Sequence, residues 1–115
     1  MAVTIYHNPR CSKSRQTLAL LEEHGISPDI ILYLETPPDE ATLTTLLKQL
    51  GLTARELMRK GEQEYKDNNL KNPQLNDKEL IQAMLKYPRL IERPIVVNKG
   101  QARIGRPPES VLEIL

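Results

Sequence analysis

The stretch VTIYHNPRCSKSRQTLALLEEHG, residues 3–25, contains the only cysteine in a chain of 115 residues. Its β-branched start, residues 3–6, predicts a short strand. Apolar residues on one face of residues 12–24 predict a helix that ends at Gly25. Cys11 therefore lies where a strand leads through a loop into the first turn of a helix.

The position of Cys11 favours chemistry on an anion. Backbone N–H groups in the first turn of a helix lack intrahelical partners and carry partial positive charge. A thiol there is expected to ionise more readily than a free thiol, and an anion is expected to find donors in front of it. The neighbouring residues 10 and 12–15 are all polar, which argues against a buried structural cysteine. We interpret Cys11 as a thiolate nucleophile that acts on an oxyanion.

Two polar residues near Cys11 are candidates for activating it. Ser14 lies three residues further on the same side of the first turn, and its hydroxyl is expected to donate to the sulfur. His7 is either a structural loop residue or a donor that stabilises the thiolate, and the sequence leaves both open. Because no second cysteine is present, an oxidised Cys11 needs an external thiol to reduce it.

Three arginines are candidates for holding an oxyanion: Arg59, and Arg93 and Arg106, which each precede a proline. A guanidinium group binds an oxyanion through two N–H groups and stays charged. For any one of them alone, a surface salt bridge is the better interpretation. That interpretation is given to the other five arginines, which are Arg10, Arg15, Arg55, Arg89 and Arg103.

The remaining patterns predict an α/β fold. The apolar run 29–33 predicts a second strand that is buried on both faces. Capping signals predict helices between residues 39 and 87, among them one that begins after Thr53 and continues to about Lys60. Residues 94–97 and 102–105 predict a hairpin. Residues 109–115 predict a final helix whose inward residues are Val111, Leu112 and Leu115.

This order of elements predicts a thioredoxin-like fold. The first β-α-β unit implies a parallel pair of strands, and the hairpin adds antiparallel strands. We expect a four-stranded mixed sheet with helices on both faces. Length favours one domain, residues 1–115, with a helical insertion at about 39–87.

Composition and spacing argue against several classes of function. Sixteen basic and fifteen acidic residues give no reason to expect nucleic acid or a membrane surface as partner. The chain shows no membrane span and no secretory signal pattern, so we expect a cytoplasmic protein. One cysteine and two histidines are too few for a zinc site. Thr17 stands where a cysteine phosphatase loop needs arginine, and no Gly-rich phosphate loop is present.

The chain carries five collinear motifs, which are Tyr6-His7-Asn8-Pro9-x-Cys11-x-x-Ser14-Arg15, Ile31-Leu32-Tyr33-Leu34-Glu35, Leu57-Met58-Arg59-Lys60, Arg93-Pro94-Ile95-Val96-Val97 and Arg106-Pro107. Together they resemble the glutaredoxin-dependent arsenate reductases, the ArsC family. The resemblance implies that Cys11 attacks arsenate and that His7 helps to activate the thiol. It also implies that Arg59, Arg93 and Arg106 hold the oxyanion and the thiolate. Glutathione as co-substrate and glutaredoxin as partner are implied, with no bound cofactor.

Two alternatives stay open at this point. The resemblance is to a short member, and Ser12-Lys13 stand where Gly-Thr is frequent in the family. A thiol oxidoreductase of the same family that acts on another anion or on a glutathione-linked thiol is therefore one alternative. The other is a non-catalytic regulator of the Spx type, which binds RNA polymerase. Such regulators typically carry Cys-x-x-Cys, and residues 11–14 of this chain lack the second cysteine.

Overall fold

The computed structural model describes residues 3–115. The chain divides into two compact units, one formed by the chain up to Thr36 together with Arg93–Leu115, the other by Pro37–Glu92. Whether these units make up a single domain stays a prediction. Within residues 3–115, no helix is both long and apolar enough to cross a bilayer.

A four-stranded sheet forms the centre of the first unit. Its strands lie in the order β2-β1-β3-β4, with β1 and β2 parallel and the other neighbours antiparallel. This confirms the predicted mixed sheet. Helix α1, Ser12–Glu23, connects β1 to β2, and its residue Leu21 packs into a core with Ile5 and Val96. The strands are β1 Thr4–Tyr6, β2 Asp29–Ile31, β3 Ile95–Asn98 and β4 Gln101–Ile104.

The predicted burial of β2 on both faces is wrong. In the described sheet β2 is an edge strand that pairs with β1, and Ile30 is 49% exposed. The strand also ends at Ile31, two residues earlier than predicted. A run of apolar residues shows that a segment is hydrophobic, but the order of strands decides whether both faces are covered.

The hairpin between β3 and β4 is confirmed. Its turn residues Lys99 and Gly100 both have positive φ, 53° and 77°. Two consecutive residues of this kind form the tight turn whose twist matches that of the adjoining antiparallel strands.

The C-terminal segment is a 3-10 helix, Pro108–Ile114. Three residues per turn place side chains i and i+3 on one face. Val111 and Ile114 are accordingly buried, whereas Leu112 and Leu115 are 37% and 39% exposed. The prediction that Leu112 and Leu115 face inward is wrong because it assumed α-helical spacing.

Asn98 attaches this segment to β3 and supplies a test of the fold. The buried amide Nδ2 of Asn98 donates to the carbonyl oxygen of Ile114 at 2.7 Å. Asn98→Ala is expected to lower the free energy of unfolding by about 1–3 kcal/mol, because a buried acceptor loses its donor. Urea denaturation measures this. The exposed neighbour Gln101 is the control, since Gln101→Ala should stay within about 0.5 kcal/mol. Equal midpoints for the two variants would contradict the assignment.

The second unit is helical, and its helix starts follow the capping signals. The Asp39 side chain accepts from Thr42 N, and Thr53 and Asn76 each form a complete capping box. Arg55 donates to the carbonyl oxygens of Leu70 and Asn72, so its interpretation as a surface salt bridge is wrong. The helices are α2 Glu40–Leu50, α3 Ala54–Leu57, α4 Gln63–Asp67 and α5 Asp77–Lys86, and a 3-10 turn, Pro88–Leu90, follows.

Helix α3 ends at Leu57, not at about Lys60 as predicted. Met58 adopts an extended conformation and forms an antiparallel bridge with Ile91. The next residue, Arg59, donates its backbone N–H to Leu90 O. Pairing with a segment more than 30 residues away therefore ends the helix, which the local sequence does not indicate.

Candidate active site

Cys11 is the N-cap residue of α1, in an extended conformation with φ −94° and ψ 124°. Its side chain is buried, 9% exposed, and makes no capping hydrogen bond. The donor at the sulfur is instead Arg106 Nη2, 3.4 Å from Cys11 Sγ. The helix start thus fixes where Cys11 lies, and a guanidinium group supplies the positive charge beside it.

Arg106 is held by two backbone carbonyls, one just before β3 and one at the end of β4. Its Nε donates to the carbonyl oxygen of Arg93 at 2.8 Å, and its own N–H donates to Ile104 O at 2.9 Å. The peptide bonds Arg93–Pro94 and Arg106–Pro107 are both cis. The structure therefore brings together Cys11, Arg106 and the backbone of Arg93. The carbonyl oxygen of Arg93 thus holds the Arg106 side chain, which the sequence did not predict.

Ser14 is fully buried and orders the loop before Cys11. Its Oγ lies 2.6 Å from His7 Nδ1 and accepts the backbone N–H of Asn8 at 3.0 Å. The expected hydrogen bond from Ser14 to the sulfur is not among these contacts, so that geometry is wrong. The hydroxyl is instead engaged with the histidine on the other side of the loop.

His7 lies between the end of β1 and Ser14. Its backbone N–H donates to Ile31 O at 2.8 Å, and its side chain is 6% exposed. Burial lowers the pKa of His7 from its ordinary value of 6.5, and the positive charge of Arg15 lowers it further. The lowered pKa favours the neutral form of the ring at pH 7. Arg15 itself donates to Pro9 O at 2.9 Å, which corrects its interpretation as a surface salt bridge.

The lowered pKa of His7 predicts a defined pH dependence. Between pH 6.5 and the lowered value the unfolded chain binds more protons, so stability falls as the pH falls through this window. Arg15→Gln removes one of the two causes and should raise the pKa of His7, while burial still holds it below 6.5. NMR titration of the imidazole measures the pKa of His7, with Arg103→Gln as control, and urea denaturation at several pH values measures the change in stability. A His7 pKa that Arg15→Gln leaves unchanged would contradict the electrostatic assignment.

Arg59 lies in the helical unit, within a group of acidic residues. Its Nη1 is 2.7 Å from Glu62 Oε1 and its Nε is 3.5 Å from Glu92 Oε1. Glu62 also pairs with Arg89 Nη2 at 3.1 Å, which confirms the salt-bridge interpretation of Arg89. Arg103 likewise pairs with Glu113. The role of Arg59 in holding an oxyanion stays a prediction.

The residues available near Cys11 limit the chemistry. Across residues 3–115 no group of three or more His, Cys, Asp or Glu side chains is placed to hold a metal ion. What the first unit does hold is a single thiol in contact with a guanidinium group, next to a buried His-Ser pair. This arrangement suits a nucleophilic sulfur that meets a negatively charged group.

Comparison with known proteins identifies the family of this chain. Residues 6–114 match the ArsC family. An uncharacterized protein of Escherichia coli K12, YfgD, is 63% identical over 98% of this chain and 96% of its own length. A Haemophilus influenzae protein named arsenate reductase is 53% identical over the full length of both. The structure of an arsenate reductase from Vibrio cholerae superposes with a TM-score of 0.97 at 60% identity, over 100% of this chain and 98% of that one. The fold, the cysteine site and these matches together show that the chain belongs to the ArsC family.

Proposed function

We propose that the protein is an arsenate reductase that uses glutathione and glutaredoxin as its source of electrons. The observation that carries this proposal is the 3.4 Å contact of Arg106 Nη2 with Cys11 Sγ at the start of α1. Relatives that share full length and bear the name arsenate reductase support the substrate. The absence of a second cysteine supports an external reductant.

The first step forms a bond between sulfur and arsenic. The thiolate of Cys11 attacks As(V) of arsenate, and one oxygen of arsenate leaves as water after it gains protons. The product is a thiol-arsenate adduct on Cys11, with arsenic still in the +5 state. Arg106 contacts the sulfur before attack, so its charge stabilises the thiolate and then lies beside the oxygens of the adduct.

The second step reduces arsenic. The thiol of glutathione attacks the sulfur of Cys11, the S–As bond breaks, and its electron pair passes to arsenic. Arsenic leaves as arsenite in the +3 state, and Cys11 stays as a mixed disulfide with glutathione. Glutaredoxin then reduces this disulfide by thiol–disulfide exchange and restores Cys11.

The other site residues have supporting roles in this scheme. Arg93 and Arg59 are proposed to hold the arsenate oxygens, because guanidinium groups match a tetrahedral oxyanion. His7 and Ser14 keep the loop before Cys11 in place through their 2.6 Å contact. A depression of about 250 Å³ is lined by this loop and by Leu32 and Glu35, and its Arg10 and Glu35 offer opposite charges to a zwitterionic peptide such as glutathione.

The proposal is tested by an assay in which glutathione reductase links glutathione to NADPH. Arsenate added to the protein, glutathione and glutaredoxin should start NADPH oxidation. Phosphate is the matched control, since it has the same shape and charge but cannot accept the two electrons. NADPH oxidation that is independent of arsenate would reject this substrate. Oxidation driven by a glutathione-linked disulfide alone would point to the thiol oxidoreductase alternative.

A further inference from the structure

Gly105, the residue directly before Arg106, is packed against the helix that carries Cys11. It is buried, and a methyl group built on its Cα would overlap Thr17 Oγ1. The same methyl would lie 2.8 Å from Pro94 Cγ and 3.1 Å from Thr17 Cγ2. Side-chain Cβ atoms essentially never approach other atoms within 3.0 Å. The end of β4 therefore reaches α1 only because residue 105 has no side chain.

Conformation does not explain this glycine. Gly25, Gly51 and Gly100 have positive φ angles of 72–77°, where a side chain is strained. Gly105 has no such angle, and its constraint is space alone. Gly61 has neither a positive φ nor any atom within 4 Å of a built Cβ, which makes it a matched control.

Hydrogen bonds hold both sides of the contact between Thr17 and Gly105. On the helix, the fully buried Thr17 donates its hydroxyl to Lys13 O at 2.8 Å. On the other side, Gly105 N donates to Pro94 O at 2.9 Å. Arg106 Nε donates to the preceding carbonyl, Arg93 O. Two consecutive carbonyls thus hold two consecutive residues, Gly105 and Arg106, against α1.

We infer that Thr17 and Gly105 are positioning residues that set the distance between the Arg106 guanidinium group and the Cys11 thiolate. Cys11 is the N-cap residue of α1, and Thr17 lies in the following turn of the same helix. Gly105 and Arg106 are adjacent in the chain. The closest approach of Thr17 to Gly105 therefore decides how near Arg106 Nη2 comes to Cys11 Sγ. For turnover this inference rests on the proposed function, but for thiol reactivity it does not.

Gly105→Ala should move Arg106 away from Cys11. Loss of one charge-assisted hydrogen bond changes the thiolate population by about 10- to 100-fold. A less stabilised thiolate is intrinsically more nucleophilic, which offsets part of this loss of thiolate. The alkylation rate with iodoacetamide at pH 7 should therefore fall by only about 3- to 10-fold. The pH profile of alkylation should move to higher pH, which a purely structural defect would not cause. Gly61→Ala should leave both unchanged.

A double-mutant cycle with Thr17→Ala provides the decisive comparison. Thr17→Ala removes both Thr17 atoms that a methyl on Gly105 would meet. Pro94 Cγ still lies 2.8 Å from that methyl, so adding Gly105→Ala to Thr17→Ala should cost less in alkylation rate than Gly105→Ala costs alone, without removing the cost entirely. If Gly105→Ala alone does not fold, a folded and reactive double variant supports the inference equally. Thermal unfolding monitors the fold of every variant.

Two results would overturn the inference. One is a Gly105→Ala protein that is alkylated like wild type. The other is a double variant that is unfolded or as impaired as Gly105→Ala alone. Alkylation uses no arsenate, so the inference can fail while arsenate reduction stands, and arsenate reduction can fail while the positioning contact stands.

Discussion

Cys11→Ser is expected to lower arsenate-dependent turnover by at least about 10³-fold, because the reaction loses its nucleophile. A serine hydroxyl stays protonated at neutral pH and cannot form the mixed disulfide through which glutathione supplies electrons to arsenic. The variant should still fold, since Cys11 contributes no capping hydrogen bond to α1.

The control for this experiment is Ser12→Ala. Ser12 is the next residue, is exposed, and has no role in the proposed chemistry. Its turnover should stay within about twofold of wild type, because the exposed Ser12 side chain takes no part in the proposed chemistry and an exposed substitution of this kind changes little. Turnover of Cys11→Ser above one per cent of wild type would contradict the assignment of Cys11 as nucleophile.

Arg106→Lys is expected to lower arsenate-dependent turnover by about 10²-fold, although the charge is kept. Arg106 uses Nε for Arg93 O and Nη2 for Cys11 Sγ, 2.8 Å and 3.4 Å away. A lysine has one ammonium group, which cannot make both contacts from the fixed positions that the planar fork provides. Arg106→Gln, which also loses the charge, should be lower still.

Arg103→Lys is the matched control, since Arg103 lies on β4 and pairs with Glu113. Such an exposed pair contributes about 0–1 kcal/mol to stability. The turnover of Arg103→Lys should therefore be close to that of wild type. The fall for Arg106→Lys should be visible in kcat, because the guanidinium contacts the reacting sulfur. A normal kcat with only a raised KM would contradict contact with the nucleophile and leave substrate capture as the role of Arg106.

Local chemistry explains why much of the fold could be predicted from the sequence. The caps at Asp39, Thr53 and Asn76 and the turn at Lys99-Gly100 depend on residues within four positions of each other. The mixed sheet could be predicted from the order of the strands and helices along the chain. The failures have long-range causes: strand order decided the exposure of Ile30, and pairing of Met58 with Ile91 ended α3.

The site divides in the same way. The position of Cys11 at a helix start follows from the local pattern. Arg106 is 95 positions away in the chain, so its contact with Cys11 has no local signal, and its role near the thiolate was supported by the family resemblance. Helical spacing predicted that Ser14 lies on the same side of the first turn as Cys11, but it could not show that the Ser14 hydroxyl contacts His7 Nδ1. Gly105 was missed, although a glycine immediately before a predicted functional arginine is a signal that sequence reading can use. Arg15 was missed because its effect on His7 requires the folded loop.

In the proposed mechanism Cys11 passes electrons from glutathione to arsenate through bonds to its own sulfur. The most direct measurement mixes the protein with arsenate and glutathione while glutaredoxin is left out, and follows arsenite and the intact protein mass. We expect one arsenite per chain, and one glutathione attached at Cys11, located by peptide mapping. Without arsenate, Cys11 should stay a thiol. Arsenite that forms while Cys11 remains unmodified would contradict the account.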